Sequence, residues 1–125
     1  MASSSKYFSF DELKCKCGCE RAEMDDNFMT RLDAMRWKYN HPITLNSAYR
    51  CPEHNKNEGG VDDSPHVRGL SVDARVSGKD AHRLLKIALD FDFQGIGVSQ
   101  KGEHGKRFIH IDDSQGATRP WVWSY

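Results

Sequence analysis

Two histidines and one aspartate lie in segments whose neighbouring residues have a clear pattern. His66 and Asp73 belong to the run Ser64-Pro-His66-Val-Arg-Gly69-Leu-Ser-Val-Asp73, and His110 lies in Phe108-Ile-His110-Ile-Asp112. Two imidazoles and one carboxylate are ligands that a catalytic zinc takes when its fourth position is left for water. A structural zinc is normally closed by four ligands, mostly cysteine. These three residues therefore predict a zinc hydrolase.

Two predicted strands would bring these ligands together. Residues 71–76 alternate between apolar and polar side chains, and so do residues 107–113, in which Phe108, His110 and Asp112 share one face. If the two strands pair antiparallel, Asp73 and His110 meet over the sheet. His66 then closes the site from the preceding loop, where Gly69 allows the chain to turn.

The remaining pattern predicts an α+β fold, with a central antiparallel sheet flanked by helices. A first helix begins at Asp25 or Asp26 and runs to about Tyr39, where His41-Pro42 ends it, and a second begins at a capping-box-like Ser77–Asp80. The helix faces expected in the core are Phe28, Leu32, Met35 and Tyr39, then Ala81, Leu84, Leu85 and Ala88. Further strands are expected at 43–47 and 95–99, a surface loop at 53–65 and a hairpin loop at 100–106.

The length of the chain and the composition of its terminal segments indicate how it is organised. Its 125 residues suit a single domain over 7–125, with residues 1–6 as a disordered start. The aromatic tail 120–125 is expected to pack back on the sheet; the alternative is an exposed strip that binds carbohydrate or cell wall. A monomer is expected.

The charge balance argues against nucleic acid and membrane as partners. Lys plus Arg and Asp plus Glu are both 18, so the formal net charge is zero and no basic stripe is present. No apolar run is long enough to span a membrane. The N-terminus lacks the apolar region of a secretory signal, which predicts synthesis in a cytosol without a signal peptide.

Four cysteines, Cys15, Cys17, Cys19 and Cys51, permit a second metal site. Three interpretations stay open: free thiols, a structural zinc held by all four, and disulfides formed after release into an oxidising space. The C-x-C-x-C spacing differs from the usual C-x-x-C zinc knuckle. A nucleic-acid-binding zinc ribbon is the least favoured use of these residues, because the net charge is zero.

The motifs, taken in order, resemble the zinc D-Ala-D-Ala carboxypeptidase and murein endopeptidase family, whose metal frame is shared by hedgehog domains and vancomycin-resistance dipeptidases. The resemblance is to the small single-domain branch of bacterial and phage wall peptidases. It spans nearly the whole chain. It rests on His66-x-x-Gly69-x-x-x-Asp73 with the later His110, and on Phe10–Cys19, Asn46–Asn55, Gly59-Gly60, Ser64-Pro-His66 and Gly95-Ile-Gly97-Val.

The resemblance implies a role for each matching residue. His66, Asp73 and His110 would bind zinc, and Arg50 would stabilise the charge that develops on the scissile carbonyl, a role that the chemistry of hydrolysis also favours. The alternative for Arg50 is a structural ion pair. Ser64 would hydrogen-bond substrate or cap its turn.

The general base is the point at which the sequence departs from the family. Many relatives carry Glu or His shortly before the last ligand, whereas Arg107 and Phe108 stand there in this chain. Asp112 is our choice for the base. Relatives of this branch share the His-x-Asp pattern, which makes orientation of His110 or Arg50 by Asp112 an equal alternative. Glu103 and His104 in the hairpin loop are the other candidates.

The expected substrates are bacterial peptidoglycan peptides that contain D-amino acids. The expected activity is that of a DD-carboxypeptidase or endopeptidase, acting as a phage lysin or a wall-remodelling enzyme. Access to the wall would come from holin-type release or from delivery as a virion component. The alternative is a zinc-containing binding module that uses the same frame without turnover.

Overall fold

The computed structural model describes residues 5–60 and 64–125, which form an α+β fold. The helices are α1 (Phe10–Leu13), α2 (Asp26–Tyr39), α3 (Pro52–Asn57) and α4 (Gly78–Asp90), with a short 3₁₀ turn at His104–Lys106. The strands are β1 (Thr44–Ser47), β2 (Ser71–Arg75), β3 (Gly95–Ser99), β4 (Phe108–Asp112) and β5 (Trp121–Ser124). No helix within these ranges is both long and apolar enough to cross a membrane.

The five strands form one sheet in the order β1-β2-β4-β3-β5. β2 pairs antiparallel with β4, and its register sets Asp73 directly opposite His110. The predicted pairing of these two strands is thereby confirmed. The pairs β1–β2, β2–β4 and β4–β3 are antiparallel, as expected for the centre of the sheet, and β5 adds to the edge of β3 in parallel, so the sheet as a whole is mixed.

The two faces of the sheet have different roles. Ile109 and Ile111 on β4 lie on the face that packs against the helices and are fully buried. His110 and Asp112 alternate with them and therefore lie on the opposite face. The hydrophobic core thus supports the site from behind, through the backbone of the central strand.

The two long helices begin and end close to where the sequence predicted. Asp25 caps α2 by accepting a hydrogen bond from the Phe28 amide, and Asn40 ends the helix in a left-handed conformation. The predicted inner face of α2 is buried: Phe28, Leu32, Met35 and Tyr39. α4 begins at Gly78, but the Ser77 side chain makes no capping bond, so the expected capping box is absent there. A capping box is present at Ser9 and Glu12 of α1 instead.

The loops contain more regular structure than expected. The predicted loop 53–65 contains α3, which starts at a proline and whose Cys51 N-cap accepts a hydrogen bond from the His54 amide. The Asn55 side chain lies against Gly60, where any Cβ would collide with it. Residues 61–63 of this loop, and residues 1–4 of the expected disordered start, lie outside the described residues. Ser5 bonds Asp33 at 2.7 Å between their side-chain oxygens.

Candidate active site

Three potential metal ligands converge on the outer face of the sheet. Nε2 of His66 lies 3.3 Å from Oδ2 of Asp73, and Nδ1 of His110 lies 3.0 Å from Oδ1 of the same carboxylate. Each of the three residues offers a ligand atom within 4.8 Å of the other two. His66 and His110 are only 3% and 5% exposed. We call His66, Asp73 and His110 the histidine–aspartate site.

Hydrogen bonds on the far side of each ring determine which nitrogen faces the aspartate. Nδ1 of His66 donates to the backbone carbonyl of Ala48 at 2.8 Å, which leaves Nε2 toward Asp73. Nε2 of His110 donates to Oδ2 of Asp112 at 2.6 Å, which leaves Nδ1 toward Asp73. Outer partners of this kind fix the tautomer and the ring orientation of histidines that bind metals.

The electrostatics of the site favour an ionised aspartate. Burial alone would raise the pKa of Asp73, but hydrogen bonds from His110 and His66 outweigh it and hold that pKa below its usual value. Burial lowers the pKa of His110, whereas the two carboxylates that bond its ring raise it, with a net increase. An ionised carboxylate is the form of Asp73 that binds a cation.

The three side chains fit a divalent cation such as zinc. Two imidazole nitrogens and one carboxylate are a donor set that zinc binds in hydrolytic sites, where one position is left open. A cation would lie between the two ring nitrogens and the carboxylate oxygens that face one another. His66 Nε2, His110 Nδ1 and the Asp73 carboxylate are the atoms that would hold it.

Asp112 lies behind His110 rather than in front of it. Its side chain is fully buried, and Arg119 makes two hydrogen bonds to its oxygens, at 2.9 and 3.1 Å. The Ser114 amide donates to Oδ1 at 3.0 Å. Burial raises the pKa of Asp112, but the bonds from His110 and Arg119 lower it to about 2. Both carboxylate oxygens are therefore already engaged.

A cleft of about 520 Å³ opens over the histidine–aspartate site. Arg50 lines this cleft and also an adjoining hollow that is bordered by Asp73. The buried Nε of Arg50 has no hydrogen-bond partner among the described residues, and no ion pair within them involves this side chain. The structural ion pair considered for Arg50 is thus not found in the described part of the chain.

The other predicted site residues are placed as follows. Ser64 borders the cleft, and its hydroxyl accepts a hydrogen bond from the His66 amide at 3.2 Å, so it caps the turn that carries His66. His104 lies near Ser77, 3.4 Å from its hydroxyl, and exposed Glu103 contacts Lys106. Neither of these two borders the cleft.

Three residues that were not predicted as site residues from the sequence also border the cleft: Arg119, Trp123 and Tyr125. The Trp123 ring packs on the His110 ring, with centroids 5.2 Å apart. The Arg119 guanidinium lies over the Trp123 ring. Tyr125 packs on Phe108, with centroids 5.1 Å apart. The expectation that the tail packs back on the sheet is therefore confirmed, and the tail forms one wall of the cleft.

Two glycines in β3 are the sequence feature from which this wall could have been predicted. A Cβ at Gly95 would lie 2.3 Å from an oxygen of Asp112, and one at Gly97 would lie 2.6 Å from the Trp123 indole nitrogen. The Gly-x-Gly spacing on one face of a strand indicates that bulky groups approach the backbone there.

The four cysteines form a second cluster, apart from the cleft. The sulfurs of Cys15, Cys17 and Cys51 are 3.4–3.7 Å from one another, and Cys19 joins them within 4.8 Å. All four thiols are free in this structure. We call these four residues the cysteine cluster.

Comparison with known proteins identifies the class to which this fold and site belong. A sequence model of the family described as Peptidase M15 matches residues 6–112, a range that includes all three ligands of the histidine–aspartate site. The chain belongs to this family, whose members are zinc metallopeptidases of the D-Ala-D-Ala carboxypeptidase type. No curated protein matches the chain.

Proposed function

We propose that this protein is a zinc-dependent peptidase that hydrolyses D-amino-acid-containing stem or cross-link peptides of bacterial peptidoglycan. The observation that carries the proposal is the convergence of His66, Asp73 and His110 on the floor of a cleft that Arg50 also borders. Family membership supports the same reaction class.

The buried histidines and the aspartate would hold zinc by the atoms that now face one another. When bound, zinc supplies Lewis-acid chemistry, polarising a peptide carbonyl and activating water for attack. The Ala48 carbonyl and the Asp112 carboxylate keep the two imidazoles aimed at that position. Pre-organised ligands need no rearrangement when the substrate arrives.

Arg50 would stabilise the negative charge that forms on the scissile carbonyl oxygen. Its guanidinium borders the cleft, and no hydrogen bond or ion pair engages the Arg50 side chain within the described residues, so the guanidinium is available to a substrate. A donor aimed at developing charge in a water-poor site contributes about 2.7–4 kcal/mol to transition-state stability.

For Asp112 we favour orientation of His110 over direct proton abstraction. Its oxygens already accept from His110, Arg119 and Ser114, and its side chain has no access to solvent. A carboxylate in this position raises the basicity of the histidine and fixes its tautomer.

The cleft wall formed by Trp123 and Tyr125 is evidence in favour of an extended peptide as the substrate. Aromatic side chains on one side and Arg50 on the other give the cleft an apolar surface and a cation, which together suit a peptide that carries a carboxylate. We propose that the protein works as a monomer, as a phage lysin or wall-remodelling enzyme. It would reach the wall after holin-type release or as part of a virion.

The direct test is digestion of purified peptidoglycan and defined muropeptides, followed by mass spectrometry of the products. The expected result is release of new peptides that stops with chelator and resumes with added zinc. Loss of a single D-Ala would indicate a carboxypeptidase, and cleavage of cross-linked dimers an endopeptidase. Zinc binding without cleavage across walls of several chemotypes would contradict the proposal and favour a silent binding module.

His110→Ala and His82→Ala form a matched pair for this assay. Both remove one imidazole, but His82 is exposed on α4 and does not border the cleft. The proposal expects loss of product only for His110→Ala. Equal activity of the two variants would remove His110 from the reaction.

A further inference from the structure

We infer that the cysteine cluster is a second, structural zinc site that fastens the segment between α1 and α2 to the start of α3. The distances between its sulfurs carry this inference. Four sulfurs bound tetrahedrally, each about 2.3 Å from one zinc, lie about 3.8 Å from one another. The three close pairs here measure 3.4, 3.5 and 3.7 Å.

The backbone bends to bring these sulfurs together. In an extended strand, alternate residues are about 6.6–6.8 Å apart, so C-x-C-x-C would spread its side chains along the chain. Gly18 and Glu20 instead adopt left-handed conformations, with φ of 90° and 61°. For Glu20, a residue with a side chain, this conformation is unfavourable and must be stabilised by its surroundings. Four sulfurs that share a metal would supply that stabilisation.

Two backbone amides donate hydrogen bonds to sulfurs of the cluster, as amides do to thiolates in metal sites. The Cys51 amide donates to Sγ of Cys15 at 3.3 Å, and the His54 amide donates to Sγ of Cys51 at 3.4 Å. Hydrogen bonds from amides stabilise sulfur that carries negative charge. Zinc binding would release the thiol protons to solvent and leave four thiolates around the ion.

The segment is anchored in the core at Cys15, Ala22 and Met24, but residues 16–21 between these anchors are exposed. Residues 14–25 form no helix or strand, and the turn is held by a backbone bond from the Cys15 amide to the Arg21 carbonyl at 2.8 Å. Cys51 lies 36 residues beyond Cys15, so a shared zinc would close a long loop. Closing such a loop removes conformational freedom from the unfolded chain.

The position of the cluster also links it to the cleft. Cys51 directly follows Arg50, so a zinc at the cluster would fix the backbone that carries the proposed oxyanion-binding side chain. This consequence, unlike the zinc site itself, rests on the proposed function.

The test is a zinc count on the full chain, purified under reducing conditions and dialysed against a weak chelator. Wild-type protein should retain two zinc ions per chain, one for each cluster. A His66→Ala/His110→Ala variant should keep one zinc although it is inactive, and Cys17→Ser/Cys19→Ser should lose one. These zinc counts test the second site independently of the proposed peptidase activity. The His66→Ala/His110→Ala variant is expected to be inactive whether or not the cysteine cluster binds zinc.

Two further measurements apply if a cysteine variant does not fold. Cobalt in the His66→Ala/His110→Ala variant should give the sulfur-to-metal charge-transfer bands of a tetrahedral thiolate site. In the wild-type protein, all four thiols should resist alkylation until a strong chelator is added. Free reaction of the thiols with zinc present, disulfides in freshly reduced protein, or a cobalt spectrum without thiolate bands would each overturn the inference.

Discussion

The histidine–aspartate site and the cysteine cluster use different ligands, and their surroundings differ in a way that matches their proposed tasks. The first has three nitrogen and oxygen ligands on rigid central strands and their preceding turn, under an open cleft. The second has four sulfur ligands on irregular chain. Three ligands leave room for a reactant, whereas four close the coordination sphere.

The supports of the two clusters differ as well. In the histidine–aspartate site, each histidine donates a hydrogen bond to its own acceptor: His66 to the Ala48 carbonyl and His110 to Asp112. Asp112 in turn accepts a hydrogen bond from Arg119. Such an arrangement exists before any metal arrives. The cysteine cluster has two amide donors but no comparable scaffold, so there the metal would organise the chain rather than the reverse. At the histidine–aspartate site the fold positions the ligands, whereas at the cysteine cluster a bound zinc would position the chain.

The largest expected effect comes from removing a ligand of the histidine–aspartate site. Asp73→Ala should abolish peptidase activity and release one zinc, because it removes the carboxylate that both histidines face. The second zinc should remain, and the fold should be retained. Metal analysis and muropeptide digestion measure this, with Asp90→Ala at the exposed end of α4 as the control. An active Asp73→Ala protein would contradict the assignment of ligands.

Arg50→Gln should reduce kcat by about 10²–10³-fold while both zinc ions stay bound, because it removes a donor to developing charge but no metal ligand. Steady-state kinetics on a defined muropeptide, with zinc content measured on the same sample, provide the test. Arg50→Lys should recover part of the loss, since it restores charge but not the planar fork of donors. A change confined to KM would mean that Arg50 binds ground-state substrate instead.

Asp112→Asn separates the two roles considered for this residue. If Asp112 positions His110, zinc affinity or activity should fall by about 10–100-fold, as is usual when an outer partner of a metal ligand is lost. Competition with a chromogenic chelator measures the affinity. Unchanged zinc affinity with a complete loss of turnover would favour Asp112 as the base.

Gly97→Ala should have the smallest effect, on stability and on the wall of the cleft. The added methyl group would meet Trp123, which packs on His110, and forced packing of this kind costs about 1–3 kcal/mol. Urea unfolding monitored by tryptophan fluorescence gives the value. Gly105→Ala is the matched control, because nothing lies within 4 Å of its added Cβ. Equal stability of the two variants would show that Trp123 moves freely.

The sequence predicted the parts of the site that depend on strand periodicity. The alternation in 107–113 set His110 and Asp112 on one face, and antiparallel pairing with 71–76 was the condition for Asp73 to meet His110; the structure has that pairing. The buried face of α2 followed equally from helical spacing. Both predictions rest on the periodicity of a single strand or helix, which does not depend on distant contacts.

What the sequence did not predict depends on contacts between distant segments. Parallel addition of β5 beside β3 brings Trp123 and Arg119 to the site, and no local pattern specifies which edge a terminal strand joins. α3 was missed because its six residues are polar and lack a helical apolar stripe. The ion pair of Asp112 with Arg119 also depends on the tertiary fold, since Arg119 lies just before β5.

Diffraction at the zinc absorption edge, on crystals of the zinc-loaded protein, is the direct test of zinc binding at the histidine–aspartate site. An anomalous peak is expected about 2.0–2.2 Å from His66 Nε2, His110 Nδ1 and an oxygen of Asp73. A map with zinc at the cysteine cluster but none among these three side chains would contradict that expectation.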